Sequence, residues 1–126
     1  MSIIVLLGRI FFSAIFILSS FHHFTKEAID YATLHFVPMA ALLVPLSGVI
    51  ALVGGLSILL GYKARYGAWL IVIFLIPVTF MMHNFWHFKD PQVASLEMTM
   101  FLKNLSMLGG ALIIARFGSG PISLKQ

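Results

Sequence analysis

The stretch GYKARYGAWLIVIFLIPVTFMMHNFWHF, residues 61–88, decides the fold. It opens on GYKAR, a short polar piece directly behind the apolar run GGLSILL at 54–60. It then continues through 66–87 without one Asp, Glu, Lys or Arg. An α-helix rises about 1.5 Å per residue, so roughly 20 apolar residues cross a hydrocarbon layer of about 30 Å. A connection as short as 61–65 leaves room only for a tight turn. The runs on either side are therefore predicted to be antiparallel neighbours. In lipid every backbone polar group must find a partner inside the protein, and a helix provides one within a single segment.

Outward from this hairpin, two more runs have the length and apolarity to cross. The predicted spans are about 3–24, 38–60, 66–87 and 96–116, separated by TKEAIDYATLH, GYKAR and KDPQVASLE. Of the 126 residues, 60% are hydrophobic and 10% charged. Soluble domains run at roughly 45–50% apolar and about a quarter charged, so lipid must be the solvent for much of this chain. The expectation is an all-α, integral membrane four-helix bundle, one domain over 1–126, with the lipid bilayer as its first partner. The opening run is long for a leader, and its basic residue, Arg9, lies inside it. It reads as a retained helix. Pro38 suits the first turn of the second helix, Pro77 should kink the third, and Pro91 breaks the chain before the fourth. Ala51 with Gly55, and Ser106 with Gly110, are small-residue pairs of the kind that let membrane helices approach closely.

Charge sets the orientation. With four crossings, both termini and the 61–65 turn share a side carrying Arg9, Lys63, Arg65, Arg116 and Lys125. The other side carries Lys26, Lys89 and Lys103 with all the acids: Glu27, Asp30, Asp90 and Glu97. Positive-inside bias then places both termini in the cytoplasm. The net charge of +4 is spread out, with no basic run of the kind that binds nucleic acid. Cysteine is absent, so this chain by itself has no disulfide, thiolate or persulfide chemistry.

The same topology gathers His22, His23, His35, His83 and His87 at the non-cytoplasmic end. Read as one helix, His83 and His87 at i and i+4 share a face and suit a metal, with His22 or His23 as third ligand and water, Glu97 or Asp90 as fourth. Histidines on two helices also suit a haem clamp. A hydrogen-bonded polar cluster and plain interfacial anchoring explain the same residues. On the first helix Arg9, Ser13, Phe16, Ser20 and His23 fall within one arc, which points His23 into the bundle and His22 away. Arg9 itself reads as a headgroup anchor. Lys103, two turns into the fourth helix beside Asn104, is either an inward functional lysine or one snorkelling to the headgroups. No HEXXH, phosphate loop, GxSxG elbow or paired intramembrane carboxylates occur.

Three stretches together carry a family resemblance: LLGRIFFSAIFILSSFHHF at 6–24, GGLSILLGYKARYGAWLIVIFLIPVTFMMHNFW at 54–86, and FLKNLSMLGGALIIARFGSGPISL at 101–124. In that order they resemble the DoxX family of small bacterial inner-membrane proteins. The resemblance implies a four-helix membrane protein of the bacterial inner (plasma) membrane. It implies association with redox or oxidative-stress systems, and one branch resembles the small membrane subunit of thiosulfate:quinone oxidoreductases. His83, Asn84, Phe85, Trp86, Lys103 and Asn104 match the family's usual residues. The family commonly has a lysine near the end of the first helix, where this chain reads SSFHHF, so His22 and His23 are a departure.

The preferred functional expectation is a membrane subunit of a quinone-linked or oxidative-stress redox system. His83, Asn84, Trp86, Lys103, Asn104 and His23 are its candidate cofactor-binding residues. His83, His87 and His22 are the candidate metal ligands. Quinone, haem or a histidine-bound metal would be the cofactor. Other membrane or soluble redox proteins, or a second copy of the chain, would be partners. The alternatives are a non-enzymatic anchor or assembly module and a small metal- or solute-handling protein.

Overall fold

The computed structural model describes residues 2–125, and these are helical apart from short turns and one isolated bridge. The first crossing is α1, Ser2–Ser20, prolonged by a 3₁₀ turn over Phe21–Phe24. A short helix α2, Lys26–Leu34, follows. The other crossings are α3, Ala40–Leu60, α4, Ala64–Met82, and α5, Pro91–Phe117. Four segments are long and apolar enough to cross a membrane: Ile3–Phe24, Ala40–Leu60, Ala64–His87 and Pro91–Phe117. They match the expected spans to within a few residues at each end.

Local chemistry explains the ends. Gly61 stops α3 in the left-handed region at φ 67°, where a Cβ is costly, and Tyr62 N–H returns to Ser57 O at 3.0 Å. Asp90 caps α5 by accepting from Gln92 N–H at 3.0 Å, and Pro91 takes the first helical position. Thr25 caps α2 by accepting from Ala28 N–H at 3.2 Å. Pro38 lies just ahead of α3 instead of inside its first turn, and Met39 makes the entry at φ 50°. The 25–37 connection, expected as a loop, thus contains a capped helix. Its amphipathic pattern was hidden among charged residues: Ala32 is buried while Lys26, Glu27 and Asp30 face out.

Helices α1, α3, α4 and α5 pack in that order, each against the next. Glycine sets the distances. A methyl at Gly54 would lie 2.9 Å from Gly67 O, so α3 and α4 touch backbone to backbone. At Gly55 it would lie 2.9 Å from Ile17 Cγ1 on α1, and at Gly110 2.8 Å from the Phe12 ring. Ser106 faces outward, so only the Gly110 half of that small pair forms a seam. Phe16, Ile58, Ile71 and Leu75 fill the core. Ile4, Phe11, Leu18, Ile73, Ile113 and other large apolar side chains form the outer surface. That surface would be a large exposed apolar patch in water and is the ordinary lining of a protein in lipid.

At the basic end the chain doubles back after Phe117. Gly118 and Gly120, both at φ 82°, turn it so that Leu124 N–H reaches Leu60 O and Lys125 pairs beside Tyr62. Arg9 points into this strap. It donates to Ser119 O at 2.7 Å and, more loosely, to Leu59 O and Ser123 Oγ. Arg9 is only 4% exposed, which corrects its reading as a headgroup anchor. A guanidinium is tolerated inside because its two terminal nitrogens find acceptors, in Ser119 and Ser123 of the C-terminal turn and in Leu59 O of α3, while its Nε is buried without a partner. The rest of the arc agrees with the wheel: Ser13, Phe16 and Ser20 are buried.

Candidate functional site

At the opposite, histidine-bearing end lies a cavity of about 370 Å³. The end of α1, with α2, α3 and the histidine-bearing half of α4, lines it and leaves it partly open. Its walls are mostly aliphatic and thioether carbon: Val44, Ile50, Ile73, Val78, Met81 and Met82. The polar groups on its wall belong to His22, His23, Tyr31, Ser47 and His83. A mostly apolar hollow with a few convergent polar groups is the usual form of a small-molecule site, and this volume falls at the lower end of their range of roughly 300–1,000 Å³.

His23 owes its place to its neighbours. A methyl at Gly48 would fall 2.7 Å from His23 Cβ and 3.1 Å from Ser20 O, so the glycine lets the end of α1 lie on α3. The ring then meets Ser47 Oγ through Nδ1 at 2.8 Å and leans on Phe74, centroids 5.5 Å apart. Pro77 faces the same space and has no N–H for the Ile73 carbonyl one turn back.

His83 is where α4 stops. Helical hydrogen bonding ends at Met82, and a 3₁₀ turn follows over Phe85–His87. His83 and His87 therefore do not share a helical face, as the i,i+4 spacing had suggested. His83 lines the 370 Å³ cavity. His87, with Asn84 and His35, lines a second, open hollow on the other side of the α4 end. His83 Nδ1 meets Glu97 Oε2 of α5 at 2.7 Å, and Glu97 is 8% exposed. Glu97 also acts on Tyr31 of α2. Partial burial first, for the residue is 48% exposed, and then that carboxylate's charge push the Tyr31 phenol above its ordinary value.

The other expected residues are dispersed. Trp86 is half exposed and joins Phe80, Phe85 and Phe101 in an edge-to-face aromatic cluster at the rim, centroids 5.2–6.5 Å apart. Asn104 is buried within α5 and does not reach the cavity. Lys103 is exposed on the outer face of α5, with Nζ 3.6 Å from Met100 Sδ. The inward functional lysine is thus corrected: α4 packs against a neighbouring face of α5. No three His, Asp or Glu among the described residues come together as a metal site, so His83, His87 and His22 do not form the expected trio. Sequence reasoning missed Tyr31, Ser47 and Phe74. Ser47 carried a signal, a hydroxyl inside the apolar run LVPLSGV; Tyr31 and Phe74 carried none until α2 and α4 were placed.

Among known proteins, the model of the DoxX family matches residues 4–84, which covers all but the first two residues of α1, the whole of α2 to α4 and every residue of the cavity wall. The inner membrane protein YqjF of Escherichia coli is 28% identical over 122 residues, 97% of this chain and 89% of its own length. The ER-derived vesicles protein ERV29 of Saccharomyces cerevisiae is 24% identical over 78 residues, 62% of this chain. The chain spans about a quarter of ERV29's length. No solved structure matches.

Proposed function

The chain belongs to the DoxX family, and from that premise we propose that it is a membrane subunit of a redox system that holds a quinone-class ring compound in the cavity at its histidine end. The observation that carries this reading is the cavity's composition: aliphatic and methionine walls, with His23, Tyr31 and His83 where ring oxygens would lie. Phe74 adds an aromatic wall beside His23. The chain has no cysteine, so the sulfur or electron chemistry of such a system falls to a partner protein. The charge asymmetry and the inner-membrane location of YqjF support a bacterial inner membrane, with the basic end in the cytoplasm and the cavity on the far side.

The test is equilibrium binding of a short-chain naphthoquinone, supplied as an oxidised and reduced mixture, to the protein in mild detergent. Wild type should bind one ring per chain. Ile50→Trp, which fills the hollow from the α3 side, should bind none while keeping its helical signal. Equal binding by both proteins would place any quinone outside the cavity. An assembly or anchoring role, the rival reading, expects no saturable binding in either.

A further inference from the structure

Hydrogen bonds give two of the cavity's polar groups, His23 and His83, a direction when their rings are neutral. Ser47 Oγ carries one hydrogen, and that hydrogen goes to Val44 O at 2.6 Å. At the 2.8 Å contact with His23, Ser47 can therefore only accept, and His23 Nδ1 must hold the proton. The same holds at His83. An ionised carboxylate only accepts, so the 2.7 Å contact with Glu97 places the proton on His83 Nδ1. In a neutral imidazole with Nδ1 protonated, Nε2 is a bare lone pair. Neither Nε2 has a hydrogen-bond partner among the described residues, and neither is sealed from the space around it.

We infer that the cavity recognises hydrogen-bond donors: it selects the dihydroxy form of an aromatic ring over the dicarbonyl form, with His23 Nε2 and His83 Nε2 accepting from the two hydroxyls. The inference rests on the reading of the cavity as a ring-compound site and adds which member of the redox couple it holds. A quinone oxygen placed at either Nε2 would meet a lone pair and leave it unpaired, so its one donor on this wall would be the Tyr31 phenol, whereas a dihydroxy ring pairs with both histidines. Ser47 and Glu97 are positioning residues that act by fixing the imidazole tautomers.

The experiment compares a naphthoquinone, the matching dihydroxynaphthalene kept reduced without oxygen, and its dimethyl ether, all of nearly one shape. Wild type should bind the dihydroxy compound at least about tenfold more tightly than either of the others, since unmet polar groups carry the cost. Ser47→Ala frees His23 to take either tautomer, so the preference for the dihydroxy compound over the quinone should shrink. Imidazole nitrogen shifts in histidine-labelled protein give a readout that needs no ligand, with His23 and His83 both expected as Nδ1–H. Quinone binding as tight as the dihydroxy compound, or an Nε2–H signal at both residues, would overturn the donor preference and leave the ring site standing. No binding of any of the three would overturn both.

Discussion

Glu97 is a carboxylate held almost out of solvent, with the imidazole of His83 as its strong partner. Removing one member of such a pair strands the other, which costs more than removing both. Glu97→Leu is expected to lower stability by about 1–3 kcal/mol, and adding His83→Leu should recover part of that loss. Thermal unfolding in detergent of the two singles and the double variant checks it, and strict additivity would contradict it. The Tyr31 phenol reports the same charge from α2. Burial and Glu97 raise its folded value, so the neutral phenol is the form the fold favours. Its contribution to stability is full below the unfolded tyrosine value of about 10 and is lost as pH rises through the raised folded value. A difference ultraviolet titration of wild type against Tyr31→Phe should show one late-ionising phenol, and Glu97→Gln should move it partly back.

Helix α3 depends on glycine at its crossing with α4. Gly54→Ala would push a methyl to 2.9 Å from a carbonyl of α4, where backbone must move, and is expected to cost about 1–3 kcal/mol. Gly109→Ala on α5 meets open space and is expected to be neutral or mildly stabilising. Melting temperatures of the pair separate packing from propensity. The crossings themselves were legible in the sequence, because length and apolarity alone define a span and GYKAR allows only a hairpin. The inward arc from Arg9 to His23 was legible too, because helical periodicity survives in lipid when the inward residues are polar. The site was less so. The wheel that joined His83 to His87 assumed a helix that stops at Met82, and no residue before 83 announces that stop. Lys103 faces outward because α5 packs on α4 with another face, and partner choice among apolar helices leaves little trace in composition. The role of Arg9 depended on a strap a hundred residues away.

The whole molecule is a bundle with two unlike ends: a basic end closed by the strap, and an acidic end opened by a cavity under α2. Arg9→Met should loosen the strap without unfolding the spans, read as faster proteolytic trimming beyond Phe117 with the helical signal unchanged. An unaltered trimming rate would mean the backbone pairing at Leu60 and Gly61 suffices. The natural lack of cysteine allows a clean orientation test in intact cells. Lys26→Cys should react with a membrane-impermeant maleimide, and Lys125→Cys should react only after permeabilisation; the reverse pattern would invert the bundle. The most direct measurement is mass spectrometry of solvent-extracted small molecules from protein purified out of its native membranes in mild detergent, with Ile50→Trp beside it. Wild type should yield a quinone-class ring compound near one per chain, and the filled variant none. The same amount of that compound in both preparations, or an extract without it that stays empty after an oxidised and reduced quinone mixture is added back, would contradict the ring site.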